Sequence, residues 1–145
     1  MTEALHREIE IAAPQATVFA FLTDPEKIMR WIGVSATVEP HPGGIYLVSL
    51  NDKYTARGQF TEVIPIHRLA YSFGWEGNDS VPPGSSLIEI DLVEKGSGTL
   101  VRFTHAGLPN EQERADHEKG WNHYLHRLSI AAAGGDPGPD VETIS

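Results

Sequence analysis

The alternation of apolar and polar positions along the chain divides it into strands first and one long helix last. Leu5 to Ala12 alternates with Ile9 and Ile11 on one face and Glu8 and Glu10 on the other, which predicts a strand with one wet side. Pro14 ends it, and Val18, Phe19 and Leu22 come next at helical spacing, so Pro14 to Thr23 reads as a short helix. Asp24 and Pro25 make an N-cap and first-turn pair for a second short helix through Ile28, Trp31 and Ile32, closed by Gly33. From Val34 the period becomes two. Strands are expected over Val34 to Glu39, Ile45 to Leu50, Tyr54 to Ile64, Arg68 to Trp75, Ser85 to Glu94 and Thr99 to His105, separated by turn-forming Gly, Pro, Asn and Asp. Gly58, inside the longest of these, marks a bulge or a sharp bend in a curved sheet.

Glu111 to Ala133 changes the period to 3.6. Trp121, Leu125, Leu128 and Ala132 fall on one stripe with Tyr124 and Ala131 at its edge, while Asp116, His123, His126 and Arg127 fall opposite. The hairpin-length connections imply an antiparallel sheet with one wet face, and this amphipathic helix, roughly 33 Å long at its 1.5 Å rise, is the cover for the other face. The expected class is α+β: about seven strands curved around a C-terminal helix, with two short helices after the first strand. Residues 1–133 form one domain, and Gly134 to Ser145, rich in Gly, Pro and Asp, reads as a disordered tail.

At 145 residues the chain is long enough for one real core. A formal net charge of -9 argues against nucleic acid, whose phosphates need clustered Lys and Arg, and disfavours anionic membrane surfaces. No stretch is long and apolar enough for membrane insertion, and no signal peptide is legible. The absence of cysteine removes disulfides, thiolate nucleophiles and zinc-thiolate sites, and fits a cytoplasmic protein.

The order of elements, together with their motifs, resembles the START-like helix-grip superfamily (SRPBCC), and within it the activator of heat-shock-protein-90 ATPase homologue family. The residues that carry the resemblance are Ile9, Ile11 and Pro14; Asp24, Pro25 and Trp31; Gly43 and Gly44 before Tyr46; Gly58 and then Phe60; and Arg68, Leu69 and Tyr71 to Trp75. They continue through Thr99, His105 and Gly107 to His117, Gly120, Trp121, Tyr124 and Leu128. The resemblance implies a curved sheet gripping the last helix, with a cavity between them that takes apolar or amphipathic small molecules in many relatives. It implies much less about activity, and the eukaryotic namesake touches its chaperone through a further N-terminal domain.

The candidate cavity residues are Trp31, Tyr46, Phe60, Tyr71, Phe73, Trp75, Phe103, His105, His117, Trp121 and Tyr124. Each has a plainer reading as core. Burying Trp121 alone removes on the order of 200 Å² from water, at most roughly 5 kcal/mol. His117 lies on the apolar stripe one turn before Trp121, where a polar group needs a partner, and His105 points inward by strand parity. The pair can be read as a proton-transfer pair, as a partial metal site, or as two imidazoles that each donate to a backbone carbonyl. Spacing supplies no third metal ligand, and neither a metal nor a cofactor is called for. Glu62 is a candidate interior carboxylate only if it shares a face with Gly58 and Phe60. The acidic Glu111, Glu113, Asp116 and Glu118 complement the N-terminal end of the helix.

These features favour a binding protein for a hydrophobic or amphipathic small molecule. The alternatives are a cyclase- or hydrolase-type enzyme using His105 or His117, and a protein-interaction module, either a homodimer formed through a sheet edge or a chaperone partner.

Overall fold

A computed structural model describes residues 3–140. In chain order the elements are β1 (Leu5–Ile11), α1 (Gln15–Thr23), α2 (Pro25–Ile28), β2 (Ser35–Val38), β3 (Ile45–Ser49), β4 (Thr55–Ile64), β5 (Arg68–Phe73), β6 (Ser86–Lys95), β7 (Gly98–Ala106) and α3 (Glu111–Ala132). The strands form one antiparallel sheet in the order β1-β7-β6-β5-β4-β3-β2. Apart from β1, this is a meander. The α1–α2 segment carries the chain from the β1 edge to the β2 edge, and α3 closes the concave face, giving the helix-grip architecture.

The helix boundaries have local chemical causes. Asp24 Oδ1 accepts from the Glu26 amide at 2.9 Å with Pro25 behind it, and Asn110 Oδ1 accepts from the Glu113 amide at 2.9 Å. Gly33 ends the turns after α2 with φ +88°, a left-handed conformation suited to glycine.

Curvature is concentrated where β4 crosses β5. A Cβ on Gly58 would sit 1.7 Å from the Ser72 carbonyl oxygen, and one on Gly74 would sit 1.8 Å from the Pro82 oxygen, so both backbones approach closer than any side chain allows. Gly58 therefore marks the bend, while the bulge falls further along β4. Phe60 pairs with Tyr71 and Glu62 with Ala70, which leaves Thr61 as the extra residue. The bulge reverses the parity of the residues beyond it. Glu62 turns to the outer face and joins Arg68, 2.7 Å away, with Glu89 and Asp91 on the same guanidinium. The expected strand Arg68 to Trp75 also divides, since β5 stops at Phe73 and Trp75 rejoins β4 through a bridge to Ala56.

One continuous core lies between the sheet and the helices. The helix α3 is fixed to the β1 edge by Arg7, which bonds the Asn122 amide oxygen and lies 2.6 Å from the Glu118 carboxylate. Its buried face is wider than the apolar stripe, because Arg127, expected on the wet side, is only 8% exposed. The residue sits at the flank of the stripe, where its stem packs inward and its head finds carbonyl partners. Residues 134–140, expected as part of a disordered tail, run back along α3. There Arg127 donates to the Pro137 and Gly138 oxygens at 3.2 and 2.9 Å, and Asp140 accepts from the Tyr124 hydroxyl at 2.6 Å. Residues 141–145 of that tail lie outside the described residues.

Replacing Gly58 with Ala should force β4 and β5 apart at the bend and cost roughly 2–4 kcal/mol, measured as a lower urea midpoint. An unchanged midpoint would show that the approach of Gly58 to Ser72 does not shape the sheet.

Candidate functional site

Inward-facing positions on β3, β4 and the β5 extension meet the middle of α3 around a small internal cavity of about 10 Å³. Its walls are Ile32, Tyr46, Val48, Leu50, Ala56, Phe73, Trp75, His117, Trp121 and Tyr124. The volume is close to that of one water probe, so the aromatic rings fill almost all of the space they enclose.

Two histidines and two tryptophans set the polar structure behind these walls. Trp75 Nε1 donates to His117 Nε2 at 2.9 Å, and His117 Nδ1 lies 2.7 Å from the Glu113 carbonyl, to which it donates. Trp121 Nε1 donates to His105 Nδ1 at 3.1 Å. The other nitrogen of His105 then carries its proton and donates to Ser86 Oγ at 2.9 Å, while Ser86 donates to the Phe73 carbonyl at 2.7 Å. An indole N–H only donates, so each accepting imidazole nitrogen is unprotonated and both tautomers are assigned by their partners. Neither ring keeps a lone pair for a substrate proton or a metal ion. Burial, and after it the charge His117 would bring, lowers the pKa of His105 to about 3.

A second polar pair lies deeper. Tyr46 and Tyr71 stack with ring centroids 4.1 Å apart, and Phe60 meets both edge-on. Burial raises the Tyr46 hydroxyl to about 12, partly offset by its hydrogen bond to Tyr71, and burial also holds Tyr71 well above its ordinary value. Both are neutral at any physiological pH.

Six of the eleven sequence-derived candidates therefore line the cavity: Tyr46, Phe73, Trp75, His117, Trp121 and Tyr124. Four of the other five stand behind it. Phe60 and Tyr71 support Tyr46, Phe103 lies 4.6 Å from the Trp121 ring, and His105 holds the Trp121 indole. Trp31 packs elsewhere, its Nε1 donating to the Phe21 carbonyl at 2.8 Å. Sequence reasoning passed over Ile32, Val48, Leu50, Ala56 and Ser86. Period-two counting reaches four of these, since Tyr46, Val48 and Leu50 share a face, Ala56 shares one with Phe60, and Ser86 with Ile88 and Ile90.

An aromatic-walled interior between a curved antiparallel sheet and a C-terminal helix defines a helix-grip domain of the START-like class. The family model described as "Activator of Hsp90 ATPase homolog 1-like protein" matches residues 12–133, and the chain belongs to that family. Its fold is similar to that of an AHSA1-like protein from Rhizobium etli solved in solution, with 60% identity, a TM-score of 0.78, and coverage of 97% of this chain and 88% of that one. CalU16 from Micromonospora echinospora is 27% identical with a TM-score of 0.72, covering 90% of this chain and 76% of that one. The Aha1 dimer from Colwellia psychrerythraea shares the fold at 19% identity and a TM-score of 0.81, covering 92% and 98% of the two chains. No curated protein matches this chain.

The depressed His105 pKa has a definite sign. The folded state takes up the second proton on His105 only near pH 3, whereas the unfolded chain takes it up near 6.5, so the stability contributed by the neutral ring is complete above pH 6.5 and is lost as pH falls through that window. Between pH 6.5 and 5, above the main carboxylate range, unfolding free energy should fall by up to about 1.4 kcal/mol per pH unit, and His105→Gln should flatten that slope. Equal slopes in urea titrations of the two proteins would remove His105 from the account.

Proposed function

We propose that this protein binds a hydrophobic or amphipathic small molecule between the sheet and α3, and acts as a binding protein rather than a catalyst. The observation that carries this reading is the division of labour in the cavity wall. Its polar atoms bond one another, while its ring faces and aliphatic chains turn to the space. A ligand entering there meets apolar surface and need not satisfy any buried polar group. Because the cavity holds about 10 Å³, binding proceeds by movement of the wall side chains, so it is an expansion of the site and not the filling of a preformed hole. A cyclase- or hydrolase-type reaction would require His105 or His117 to give up its indole partner first.

The test is a thermal-shift screen against lipid-like and polyketide-like compounds, then tryptophan fluorescence, since Trp75 and Trp121 both line the cavity. A true ligand at a hundred times its dissociation constant should stabilise the fold by about 2.7 kcal/mol and perturb the tryptophan emission. Trp121→Leu should weaken that binding. A screen in which no compound stabilises the protein would overturn the proposal.

A further inference from the structure

Outside the cavity lies a groove of about 500 Å³, between the turns after α2 and the C-terminal half of α3. Leu50 and Tyr124 line both spaces, so they are the partition between the groove and the aromatic interior. The groove is amphipathic. Met29 and Val34 at its rim are 38% and 71% exposed, and its charged members are Arg30, Arg127 and the Asp140 carboxylate, which bonds Tyr124 and His123, so two cations face one anion in a chain whose formal net charge is -9.

Arg127 is the unusual member. It is buried, and its hydrogen bonds run to three main-chain carbonyls: Nε to Trp31 at 3.0 Å, and Nη1 to Pro137 and Gly138 at 3.2 and 2.9 Å. Carbonyl dipoles compensate a buried guanidinium less well than a carboxylate, whose charge-assisted bonds are about twice as strong and match the planar fork. The two oxygens on Nη1 come from residues 136–140, a segment held down by the Asp140 carboxylate, which accepts from Tyr124 at 2.6 Å and lies 2.9 Å from His123 Nε2. The same carboxylate thereby fixes one half of the partition.

We propose that Arg127 is the anchor for a carboxylate on an amphipathic ligand, that the Pro137 and Gly138 carbonyls occupy its place in the empty protein, and that the apolar body of the ligand passes between Leu50 and Tyr124 into the aromatic interior. This rests on the binding function proposed above and adds its ligand class and its route. Ligand binding lifts the 136–140 segment from Arg127, and release of Tyr124 from Asp140 lets the partition open.

The probes are decanoate and 1-decanol, titrated against the full chain at about pH 7.5 with tryptophan fluorescence and calorimetry as readouts. Decanoate should bind about tenfold more tightly than decanol, the equivalent of one charge-assisted hydrogen bond. Arg127→Gln should abolish the preference, so that decanoate and decanol bind alike. Asp140→Asn, which keeps Arg127 and weakens the strap, should tighten both probes about threefold with the preference retained. If Arg127→Gln fails to fold, the wild-type pair and Asp140→Asn decide the question. Equal affinities for the two probes in the wild type, or a carboxylate preference that survives in Arg127→Gln, would overturn the anchor and leave the cavity reading standing. Unchanged affinities in Asp140→Asn would overturn the displacement by the strap. Failure of both probes to bind either the wild type or Asp140→Asn would remove this inference, and silence across the wider screen as well would remove the binding function itself.

Discussion

The reciprocal pairing of two indoles with two imidazoles fixes where α3 lies on the sheet. The helix contributes one of each, His117 and Trp121, a single turn apart, and the sheet contributes the complements, Trp75 and His105. Every one of these side chains carries a polar atom into an apolar interior, and an unpaired atom there costs about 1–3 kcal/mol. Because the donor is on the sheet in one pair and on the helix in the other, a slide or rotation of α3 breaks both at once. Hydrophobic burial alone would tolerate such a shift, since one ring packs nearly as well as another. The hydrogen bonds do not, and they convert a generally apolar contact into a single registered one.

That register depends in turn on the bend. Trp75 lies beyond the end of β5, after Gly74, and reaches His117 only because β4 and β5 curl together at Gly58 and Ser72. Glycine at position 58 thus supports the Trp75 to His117 bond, although it is remote in sequence from both partners. On the far side, Ser86 closes the second chain of bonds by linking His105 to the Phe73 carbonyl, so the imidazole is held from the sheet side as firmly as the indole is held from the helix. The interior that results is polar in its skeleton and apolar on its exposed ring faces.

Much of this was legible in the chain, because strand parity and helical period depend on neighbours a few residues apart. The helix-grip order, the inward placement of His105 and the apolar position of His117 all come from such counting. The illegible part depends on contacts between distant residues. The extra residue at Thr61 sends Glu62 outward; Gly58 signals a bulge or a bend in this strand, but no local pattern places the extra residue at Thr61. Arg127 reads as a wet-face residue from its angle on the helix, and becomes buried only because carbonyls from Trp31 and from residues 137 and 138 gather around it. Composition alone marks the segment after Gly134 as structureless, and it gives no sign of the bonds that Arg127 and Tyr124 make to Pro137, Gly138 and Asp140. The membership of the cavity wall was half legible for a related reason: large aromatic residues attract notice, whereas Val48, Leu50 and Ala56 matter through where the sheet puts them.

The separation of polar skeleton from apolar surface also decides where selectivity can reside. A cavity whose hydrogen-bonding atoms are already paired discriminates by shape and area, and one methylene more or less in an apolar pocket changes binding by only about 1–3 kcal/mol. Its own rings nearly fill it, so a ligand replaces ring-to-ring contacts with ring-to-ligand contacts of similar quality, and the net gain from the interior is modest. A larger discrimination has to come from polar groups whose present partners can be exchanged. Within the walls of the cavity such an exchange breaks the bonds that register α3, at a cost to the whole fold. At the groove it breaks only bonds to a segment beyond the last helix, and the pairs that register α3 are not among them. Under the proposed binding function, a polar feature of the ligand is read at the groove while the indole–imidazole pairs that register α3 stay in place.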